Sequence, residues 1–426
     1  NLCGHRMSSP THSNRRTCAT LQYAATLNAC VFIWSFCAMK AKIYLDFNST
    51  HPPDREALSA ARDFYFAHFA NSSGLSLESQ QVNQKIEWAR EEVAKLLTVN
   101  PGQIIFTSSA TESNNLLLRE FHRRRTENTF RVVCSPFEHP SIAEPLKRLA
   151  ETQTTILQAA REGTLAPCNL PHETDLTILM AVQNENGVIL PLRELMATVS
   201  PTGSPTLVDA SQLLPKLCAD GPESLHPGFI RYLTDMGCYI TATGHKVGAG
   251  FGAGLIITPH RSVLSDSQPL LAGGNQEHGI RAGSHNVEAI VALALALGHK
   301  ISANRYASWL AQTQKFEALL MNALTHVNGR EIIGANAPRA PGTTLLLLPG
   351  VPIDFLIMAL DKENITVSTG TSCKSRSRTA SAALLAMGYS ESEALSVVRL
   401  SYDQNLGDEA MRLVVDAIAS ASARLA

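Results

Sequence analysis

The stretch Thr241-Ala-Thr-Gly-His-Lys-Val-Gly-Ala-Gly-Phe-Gly-Ala-Gly254 places one lysine, Lys246, beside a histidine and among five glycines. The residues before it, 239–243, alternate as in a β-strand, and the apolar residues 255–258 after it predict a second strand. The lysine is therefore expected on a tight turn, where glycine lets the backbone approach a bound group closely. A buried lysine has a lowered pKa and becomes the nucleophilic amine that a Schiff base with an aldehyde cofactor requires. Taken alone, the stretch is equally compatible with a plain surface hairpin.

Composition limits the class of protein. The 426 residues are 45% hydrophobic and 17% charged, which predicts one large domain with a smaller one rather than a disordered chain. A formal net charge of -1 gives no indication of direct nucleic-acid or membrane binding. The nine cysteines form no CxxC pair, so neither a metal site nor a disulfide framework is indicated. We therefore expect a reducing compartment, the cytoplasm.

The first 38 residues differ from the rest of the chain. They contain no Asp or Glu and carry four of the nine cysteines, and an apolar run from Leu21 to Ala38 follows Arg15 and Arg16. We interpret residues 1–38 as an extension outside the fold, because the sequence from Met39 onward looks like a natural start. A signal anchor and an organelle transit peptide are the alternatives, and a transit peptide would place the protein in an organelle.

Strands and helices alternate through the middle of the chain, which predicts an α/β fold with a mainly parallel sheet flanked by helices. The predicted strands are 104–107, 132–135, 177–182, 206–210 and 239–243. An amphipathic helix is predicted over 78–98. Ligands of such sheets bind outside the carboxyl ends of the strands. The polar residues that fall at those ends are His139, Asn184, Asp209, Gln212, Thr243, His245 and Lys246.

Two further features concern local function and domain organisation. Ser108 to Asn115 predicts a turn followed by a helix start, whose small hydroxyl residues are either helix caps or part of a phosphate site. A long apolar helix is predicted over 287–302, and the elements after it form an α+β unit. We predict a large domain over 54–302 and a small domain built from 39–53 and 303–426.

Motifs of a known family run in order through the sequence. They are Tyr44-Leu-Asp-Phe-Asn48, Phe106-Thr-Ser-Ser-Ala-Thr-Glu-Ser-Asn-Asn115, Glu138-His139, Asn184-Glu-Asn-Gly187, Val208-Asp-Ala-Ser-Gln212, Thr243-Gly-His-Lys246, Gly273-Gly-Asn-Gln-Glu-His-Gly-Ile-Arg-Ala-Gly-Ser284, Ser368-Thr-Gly-Thr-Ser-Cys373 and Val398-Arg-Leu-Ser401. With them the chain from Met39 onward resembles the class V aminotransferases, and within that family the group I cysteine desulfurases. The resemblance implies the type I fold of pyridoxal-phosphate enzymes, the cofactor pyridoxal 5'-phosphate (PLP) and a homodimer.

The resemblance also implies a role for each candidate residue. Lys246 would bind the cofactor covalently and later move the Cα proton, Asp209 would pair with the pyridine nitrogen, and His139 would stack on the ring and assist proton transfer. Arg399 would bind the substrate carboxylate. Asn184 would assist in binding the substrate and would also contact the cofactor. Gln212 would hydrogen-bond the ring hydroxyl oxygen. The residues implied for the phosphate are Ala110, Thr111, Thr243 and His245, and Ser284 would reach the phosphate of the other subunit.

Cys373 decides which activity the resemblance implies. Its setting is similar to the family's sulfur-accepting loop, and Lys374, Arg376 and Arg378 predict electropositive surroundings that lower a thiol pKa. A thiolate there would take the sulfur of L-cysteine as a persulfide, with release of L-alanine. The alternative for this residue is a buried structural cysteine.

The expected function is a PLP-dependent cysteine desulfurase that passes sulfur to an acceptor protein, for iron–sulfur clusters, transfer-RNA thiolation or cofactor biosynthesis. A selenocysteine lyase or an aminotransferase on the same cofactor is one alternative. A non-catalytic interaction subunit is the other. The residues that argue against a non-catalytic role are Lys246, Asp209, His139 and Arg399.

Overall fold

A seven-stranded sheet organises the larger part of the molecule. The computed structural model describes residues 42–425 apart from 126, 167–170, 172, 200–202, 261–263, 265–267, 302–303 and 370–378. The strands in chain order are β1 (Ile43–Tyr44), β2 (Ile104–Thr107), β3 (Phe130–Cys134), β4 (Thr152–Ile156), β5 (Leu176–Met180), β6 (Thr206–Asp209), β7 (Cys238–Thr243), β8 (Gly254–Ile257), β9 (Glu331–Ile332), β10 (Thr343–Leu347), β11 (Ile365–Thr366) and β12 (Val397–Ser401).

Helices connect most of these strands. They are α1 (Arg55–Ala67), α2 (Leu77–Leu96), α3 (Ala110–Arg124), α4 (Pro140–Leu146), α5 (Leu192–Val199), α6 (Gly228–Asp235), α7 (Val287–Ile301), α8 (Tyr306–Ala323), α9 (Ile353–Lys362), α10 (Ala382–Ala386), α11 (Glu391–Ala394) and α12 (Asp408–Leu425). Helix α10 begins at Ala382, because the Ser381 side chain caps its first turn by accepting from the N–H of Leu384.

The large sheet has the order β2-β8-β7-β6-β5-β3-β4. Strands β3 to β7 run parallel with their neighbours, whereas β8 is antiparallel to both β7 and β2. The segment 244–253 between β7 and β8 contains no helix long enough to form the crossover that a parallel neighbour needs, so the chain returns antiparallel. The prediction of an α/β fold with a mainly parallel sheet is confirmed.

Both faces of this sheet are covered, so its central strands are buried along their whole length. Ile104 and Phe106 of β2 face a core shared with α1, α2 and α7, whereas Ile105 faces a second core shared with α3 and α4. The predicted amphipathic helix is α2, which packs on α7 with Val82 and Val93 buried. Alternate side chains of β2 therefore pack into two different cores, and neither face of the strand is exposed to solvent.

A second, antiparallel sheet has the order β12-β10-β9 and packs with α8, α9 and α12. Leu45, which follows β1, is buried in the same core, and β1 pairs in parallel with β11. The segment near residue 45 thus packs with the C-terminal elements, as the predicted small domain requires. Residues 42–425 nevertheless form one compact unit, so the boundaries predicted for the large and small domains stay a prediction.

No single helix in the described ranges is long and apolar enough to cross a membrane. Helices α7 and α8 reach the length and apolar composition of a membrane span only when they are taken together, and they are bent by 78° relative to each other. The apolar character of α7 has a structural reason, because Ala292, Leu293 and Leu297 are fully buried in the core of the large sheet.

A buried ion pair fastens the segment before α7 to the large sheet. Glu277 is 4% exposed and accepts two hydrogen bonds from the guanidinium of Arg90, both at 2.9 Å, and one from the N–H of Phe106 at 2.8 Å. His285 Nε2 lies 2.7 Å from the same carboxylate. Burial alone would raise the pKa of Glu277, but the hydrogen bonds from His285 and Arg90 lower it to about 2. The carboxylate therefore stays charged and joins this segment to α2 and β2.

We expect Glu277→Gln to destabilise the fold by about 3–5 kcal/mol, because it leaves the buried Arg90 charge without its partner. The pKa of Glu277 is lowered on folding, so its contribution is present above about pH 4.5 and is lost as the pH falls toward about 2. Urea unfolding at about neutral pH and under acid conditions measures both effects. Glu87→Gln, which changes a half-exposed partner of the same Arg90, is the control. Equal stability of Glu277→Gln and the parent would contradict this role.

Candidate active site

The carboxyl ends of β3, β5, β6 and β7 open into one cavity of about 550 Å³. Parallel strands end at the same edge of a sheet, so residues that follow different strands converge there. The predicted site residues that line the cavity are Ala110, Thr111, His139, Asn184, Asp209, Gln212, Thr243, His245, Lys246 and Arg399. A cavity of this volume is large enough for a cofactor together with a small substrate.

Lys246 lies on a single 3-10 turn, Gly244–Lys246, that directly follows β7. The N–H of Gly244 donates to the carbonyl of Ala253 at 2.8 Å, which closes the glycine-rich segment and returns β8 along β7. Burial lowers the pKa of Lys246 to about 8, while the charge of Asp209 acts in the opposite direction. Near neutral pH this lysine therefore has far more free amine than a surface lysine and can act as a nucleophile.

The glycine that begins β8 brings the lysine turn close to the start of α3. Gly254 pairs with Thr243 of β7, and a Cβ added to it would lie 2.5 Å from the backbone of Ser109. Any larger residue would displace either the strand or the helix start. One close backbone contact therefore places Lys246 next to the N-terminus of α3.

The N-terminus of α3 opens into the cavity. Ser109 caps the helix by accepting from the N–H of Glu112 at 3.2 Å, so Ala110 and Thr111 are its first residues. Their N–H groups have no preceding helical carbonyl to bind, and the helix dipole favours an anion beside them. The charge of Glu112, which would oppose such an anion, is paired with Arg281 at 2.8 Å. The residue that caps the helix, Ser109, is therefore different from Ala110 and Thr111, whose N–H groups could bind an anion.

Asp209 ends β6 and is 4% exposed at the cavity wall. Its carboxylate accepts from the N–H of Ser211 at 2.9 Å and from the amide of Asn114 at 3.5 Å. Asn114 also donates to Ser141 at 2.9 Å and accepts from Thr241 at 2.7 Å. A hydrogen-bond network therefore fixes the orientation of the carboxylate at the cavity.

His139 is the N-cap of α4 and lines the same cavity. The backbone N–H of Ser141 donates to His139 Nδ1 at 3.1 Å, and the Ser141 hydroxyl lies 2.9 Å from this nitrogen. We therefore assign the proton of the neutral ring to Nε2. Burial, together with the charge of Lys246, lowers the pKa of His139, so the ring is neutral at neutral pH. The N–H at Nε2 can donate a proton or a hydrogen bond to a ligand during a reaction.

Asn114 and Ser141 are supporting residues that sequence reasoning left without a role. Asn114 lies four positions after Ala110, and this spacing puts it on the same side of α3, facing the sheet edge. Ser141 follows His139 by two positions, the distance at which an N-cap side chain meets the backbone. A polar residue one turn inside a phosphate-binding helix is the signal that would have identified Asn114.

His245 precedes Lys246 on the turn and is also uncharged. Its Nδ1 lies 3.3 Å from the hydroxyl of Thr50, and its ring stacks on Phe251 with ring centroids 5.5 Å apart. Burial and the charge of Lys246 lower the pKa of His245 to about 4. Thr243, 5% exposed, immediately precedes the turn. Both side chains therefore offer hydrogen bonds near the start of α3 rather than a full positive charge.

Arg399 reaches the cavity from β12 of the second sheet. Its Nη1 donates to the carbonyl of Asn184 at 3.0 Å, and its Nη2 donates to Asp46 and to Ser49, both at 2.7 Å. Its Nε is buried without a hydrogen-bond partner among the described residues. A buried donor left in this state is costly, and a carboxylate bound at the guanidinium would satisfy it.

Gln212 is positioned through Asn48. The Gln212 amide donates to the carbonyl of Asn48 at 2.8 Å, while the Asn48 side chain donates to Thr343 at 3.0 Å and to the carbonyl of Asn184 at 3.1 Å. These contacts join the edge of the large sheet to β10 of the second sheet. The cavity is therefore formed by both sheets.

Two glutamates that line the cavity also had no role in the sequence analysis. Glu138 accepts from the hydroxyl of Ser135 at 2.5 Å, and burial raises its pKa to about 8. Glu185 accepts from the hydroxyl of Ser381, and burial raises its pKa to about 7. Glutamate is rarely buried, so nothing in the pattern alone indicated that these two side chains face the cavity.

Two predicted residues are not among those lining the cavity. Ser284 is exposed on the surface of the described chain. Cys373 lies outside the described residues, so its role stays a prediction. The described residues Ser368 and Thr379, on either side of 370–378, both line the cavity. Within the described ranges, no group of His, Cys, Asp and Glu residues could hold a metal ion.

Comparisons with known proteins agree with this arrangement. The family model Aminotransferase class-V matches residues 43–405. A cysteine desulfurase of Trichormus azollae is 31% identical over 81% of this chain and 84% of its own length. A mitochondrial cysteine desulfurase of Saccharomyces cerevisiae is 28% identical over 88% of this chain and 74% of its own length.

Solved structures give the same result. A NifS-like protein superposes with a TM-score of 0.77 at 25% identity and covers 89% of this chain and 99% of its own. A structure described as SspA in complex with cysteine has a TM-score of 0.70 at 25% identity, over 85% of this chain and 98% of its own. The chain therefore belongs to the class V aminotransferase family, and its similar relatives within that family are cysteine desulfurases.

Proposed function

We propose that this chain is a PLP-dependent cysteine desulfurase that takes sulfur from L-cysteine, releases L-alanine and keeps the sulfur as a persulfide on Cys373. The observation that carries the proposal is the position of Lys246, whose amine of lowered pKa shares one cavity with Asp209 and His139. Membership of the class V family implies PLP dependence in general terms.

The residues of the cavity fit PLP by their chemistry. The free N–H groups of Ala110 and Thr111 suit a phosphate, which Thr243 and His245 can also bind. The fixed carboxylate of Asp209 suits a protonated pyridine nitrogen, and the amide of Gln212 suits the ring hydroxyl oxygen. The buried Nε of Arg399, which has no hydrogen-bond partner among the described residues, suits the carboxylate of an amino acid. These donors and acceptors correspond to the separate functional groups of the cofactor and its substrate.

When bound, PLP supplies an electron sink that makes the Cα–H bond of an amino acid acidic. Lys246 would hold the aldehyde through its amine and would then remove and return the proton at Cα, which its lowered pKa allows near neutral pH. Neutral His139, with Nδ1 occupied by Ser141, would have the proton on Nε2 available to donate. Asp209 would pair with the pyridine nitrogen in its protonated form. Arg399 and Asn184 would orient the substrate.

Cys373 is proposed as the sulfur acceptor. Its thiolate attacks the substrate sulfur, a new S–S bond forms, and the bond between that sulfur and the substrate Cβ breaks. The bonding electrons remain on the alanine carbon skeleton, which takes up a proton at Cβ, so the sulfur is oxidised and the carbon is reduced. The support is positional, since the segment that carries Cys373 is flanked by Ser368 and Thr379 at the cavity.

We also propose a homodimer in which Ser284 reaches the phosphate of the other subunit. Ser284 is exposed, and the segment that carries it contacts the loop of Leu75, because Gln276 donates to Ser73 at 3.2 Å. Leu75 is 94% exposed, which an apolar residue at an interface would explain. A protein that accepts sulfur completes the function. The cytoplasm is the proposed location, or an organelle if residues 1–38 are a transit peptide.

We expect Cys373→Ser to abolish sulfur release from L-cysteine while the visible absorbance of bound PLP remains. Serine lacks a thiol, so no persulfide can form, whereas Lys246 is untouched. Alanine quantified by chromatography and sulfide measured after reduction test the prediction. Cys218→Ser, which changes a buried cysteine away from the cavity, is the matched control. Undiminished sulfur release by the Cys373 variant would remove this residue from the mechanism, and a keto acid in place of alanine would indicate an aminotransferase.

A second prediction concerns the pH dependence of cofactor binding. The amine of Lys246 reacts only when unprotonated, so the rate at which the apoprotein binds PLP covalently should rise with pH and level off above about 8. The growth of the visible absorbance band over a pH series measures this rate. Lys246→Arg should show no such band at any pH. A rate in the parent that is constant across the series would show that Lys246 is not the reacting amine.

A further inference from the structure

The carboxyl group of Glu185 lies in the same cavity as the guanidinium of Arg399, which is proposed to bind the substrate. Glu185 follows Asn184 after β5 and lines the cavity. Its two oxygens lie 2.9 and 2.7 Å from the hydroxyl of Ser381, which is its only hydrogen-bond partner in the described part of the chain. The charge of Arg399 acts on this carboxyl group. Glu185 is therefore electrostatically coupled to the guanidinium without forming an ion pair with it.

The positive charge of Arg399 is already balanced before a substrate binds. Asp46 accepts from its Nη2 at 2.7 Å, in an ion pair whose members are mostly buried. The carboxylate of an amino-acid substrate would bring a second negative charge to this guanidinium. An ionised Glu185 would be the third negative charge around one positive charge. Like charges close together in a buried site strongly favour the protonated form of one of them.

The charge of Arg399 acts on two groups that line the cavity, Glu185 and Lys246, and of these two Glu185 is the carboxyl group. The other titratable side chains that line the cavity, among the described residues, are Glu138, His139, Glu144, Asp209 and His245. Glu138 is acted on by Asp209 and so responds to charge near the proposed cofactor nitrogen. Asp46 is already in direct contact with Arg399. Glu185 has one hydrogen-bond donor in the described part of the chain, the hydroxyl of Ser381, and the charge of Arg399 acts on it without direct contact.

We propose that Glu185 couples substrate binding to a proton, which it takes up when the substrate carboxylate binds beside Arg399. This inference rests on the proposed function. The protonated form is neutral, and its O–H can donate to Ser381 or to the substrate. The ionised form repels the substrate and weakens binding. Because burial raises the pKa of Glu185 to about 7, both forms are present near neutral pH, and substrate affinity should fall as the pH rises.

Binding can be measured apart from turnover with 3-mercaptopropionate. This probe has the carboxylate and thiol of L-cysteine but no amine, so it cannot react with the cofactor aldehyde. Calorimetric titration of the holoenzyme in two buffers of different ionisation enthalpy, at about pH 8, gives the number of protons taken up. For the parent we expect about 0.9 proton, since a group with a pKa of about 7 is about 90% ionised there.

Glu185→Gln is neutral at every pH and should take up less than about half as many protons. The dissociation constant of the probe should increase about tenfold per pH unit above about pH 7 in the parent but stay nearly flat in this variant. Above about pH 8 the variant should therefore bind the probe more tightly than the parent. Ser381→Ala, which removes the hydrogen bond to the carboxylate, should shift the pH dependence of the parent to higher pH.

Glu138→Gln is the matched control, because it neutralises the other buried glutamate of the cavity and should leave proton uptake with the probe close to the parent value. Full proton uptake by Glu185→Gln, no uptake by the parent, or no binding of the probe would each overturn the inference. If the parent converts L-cysteine to alanine but shows no uptake, the proposed function stands without this role. If the parent takes up protons with the probe but forms no alanine from L-cysteine, the coupling of Glu185 to a bound carboxylate is supported and the desulfurase proposal is wrong.

Discussion

The site depends on the close approach of two backbone segments, Gly254 at the start of β8 and Ser109 before α3. A Cβ on Gly254 would have no room, so this contact requires glycine. Through the pairing of β8 with β7, the same contact fixes the turn that carries Lys246. The amine of Lys246 and the start of α3 are therefore held in a constant relation by backbone rather than by mobile side chains.

Burial shifts the cavity toward uncharged groups. The pKa values of Lys246, His139 and His245 are lowered, whereas those of Glu138 and Glu185 are raised. Desolvation is the largest cause in every case, and it favours the neutral form of bases and acids alike. A cavity of this kind suits ligands that bring their own charges, such as a phosphate and a carboxylate. Asp209 and the ion pair of Arg399 with Asp46 are the groups to which the proposed function assigns the cofactor nitrogen and the substrate carboxylate.

The sequence was sufficient for the sheet and for most of the residues around the cavity. Strand ends could be located from apolar runs, and parallel strands bring their ends together, so His139, Asp209 and Lys246 could be expected to meet. Contacts between distant segments could not be derived in this way. The bonds of Glu277 with Arg90 span 187 positions, and no local pattern indicates such a pairing. The hydrogen bond between Glu185 and Ser381 likewise spans 196 positions.

The anchoring of Glu277 has a consequence for assembly. Arg90, Phe106 and His285 all hold this carboxylate, which lies seven positions before Ser284 in the chain. The segment that carries the exposed Ser284 is thus held by contacts in the interior of its own subunit. In the proposed homodimer, in which Ser284 would reach the phosphate of the other subunit, loss of the Glu277 contacts in one subunit would weaken phosphate binding in its neighbour. A folding defect in one copy would then become a catalytic defect in the other.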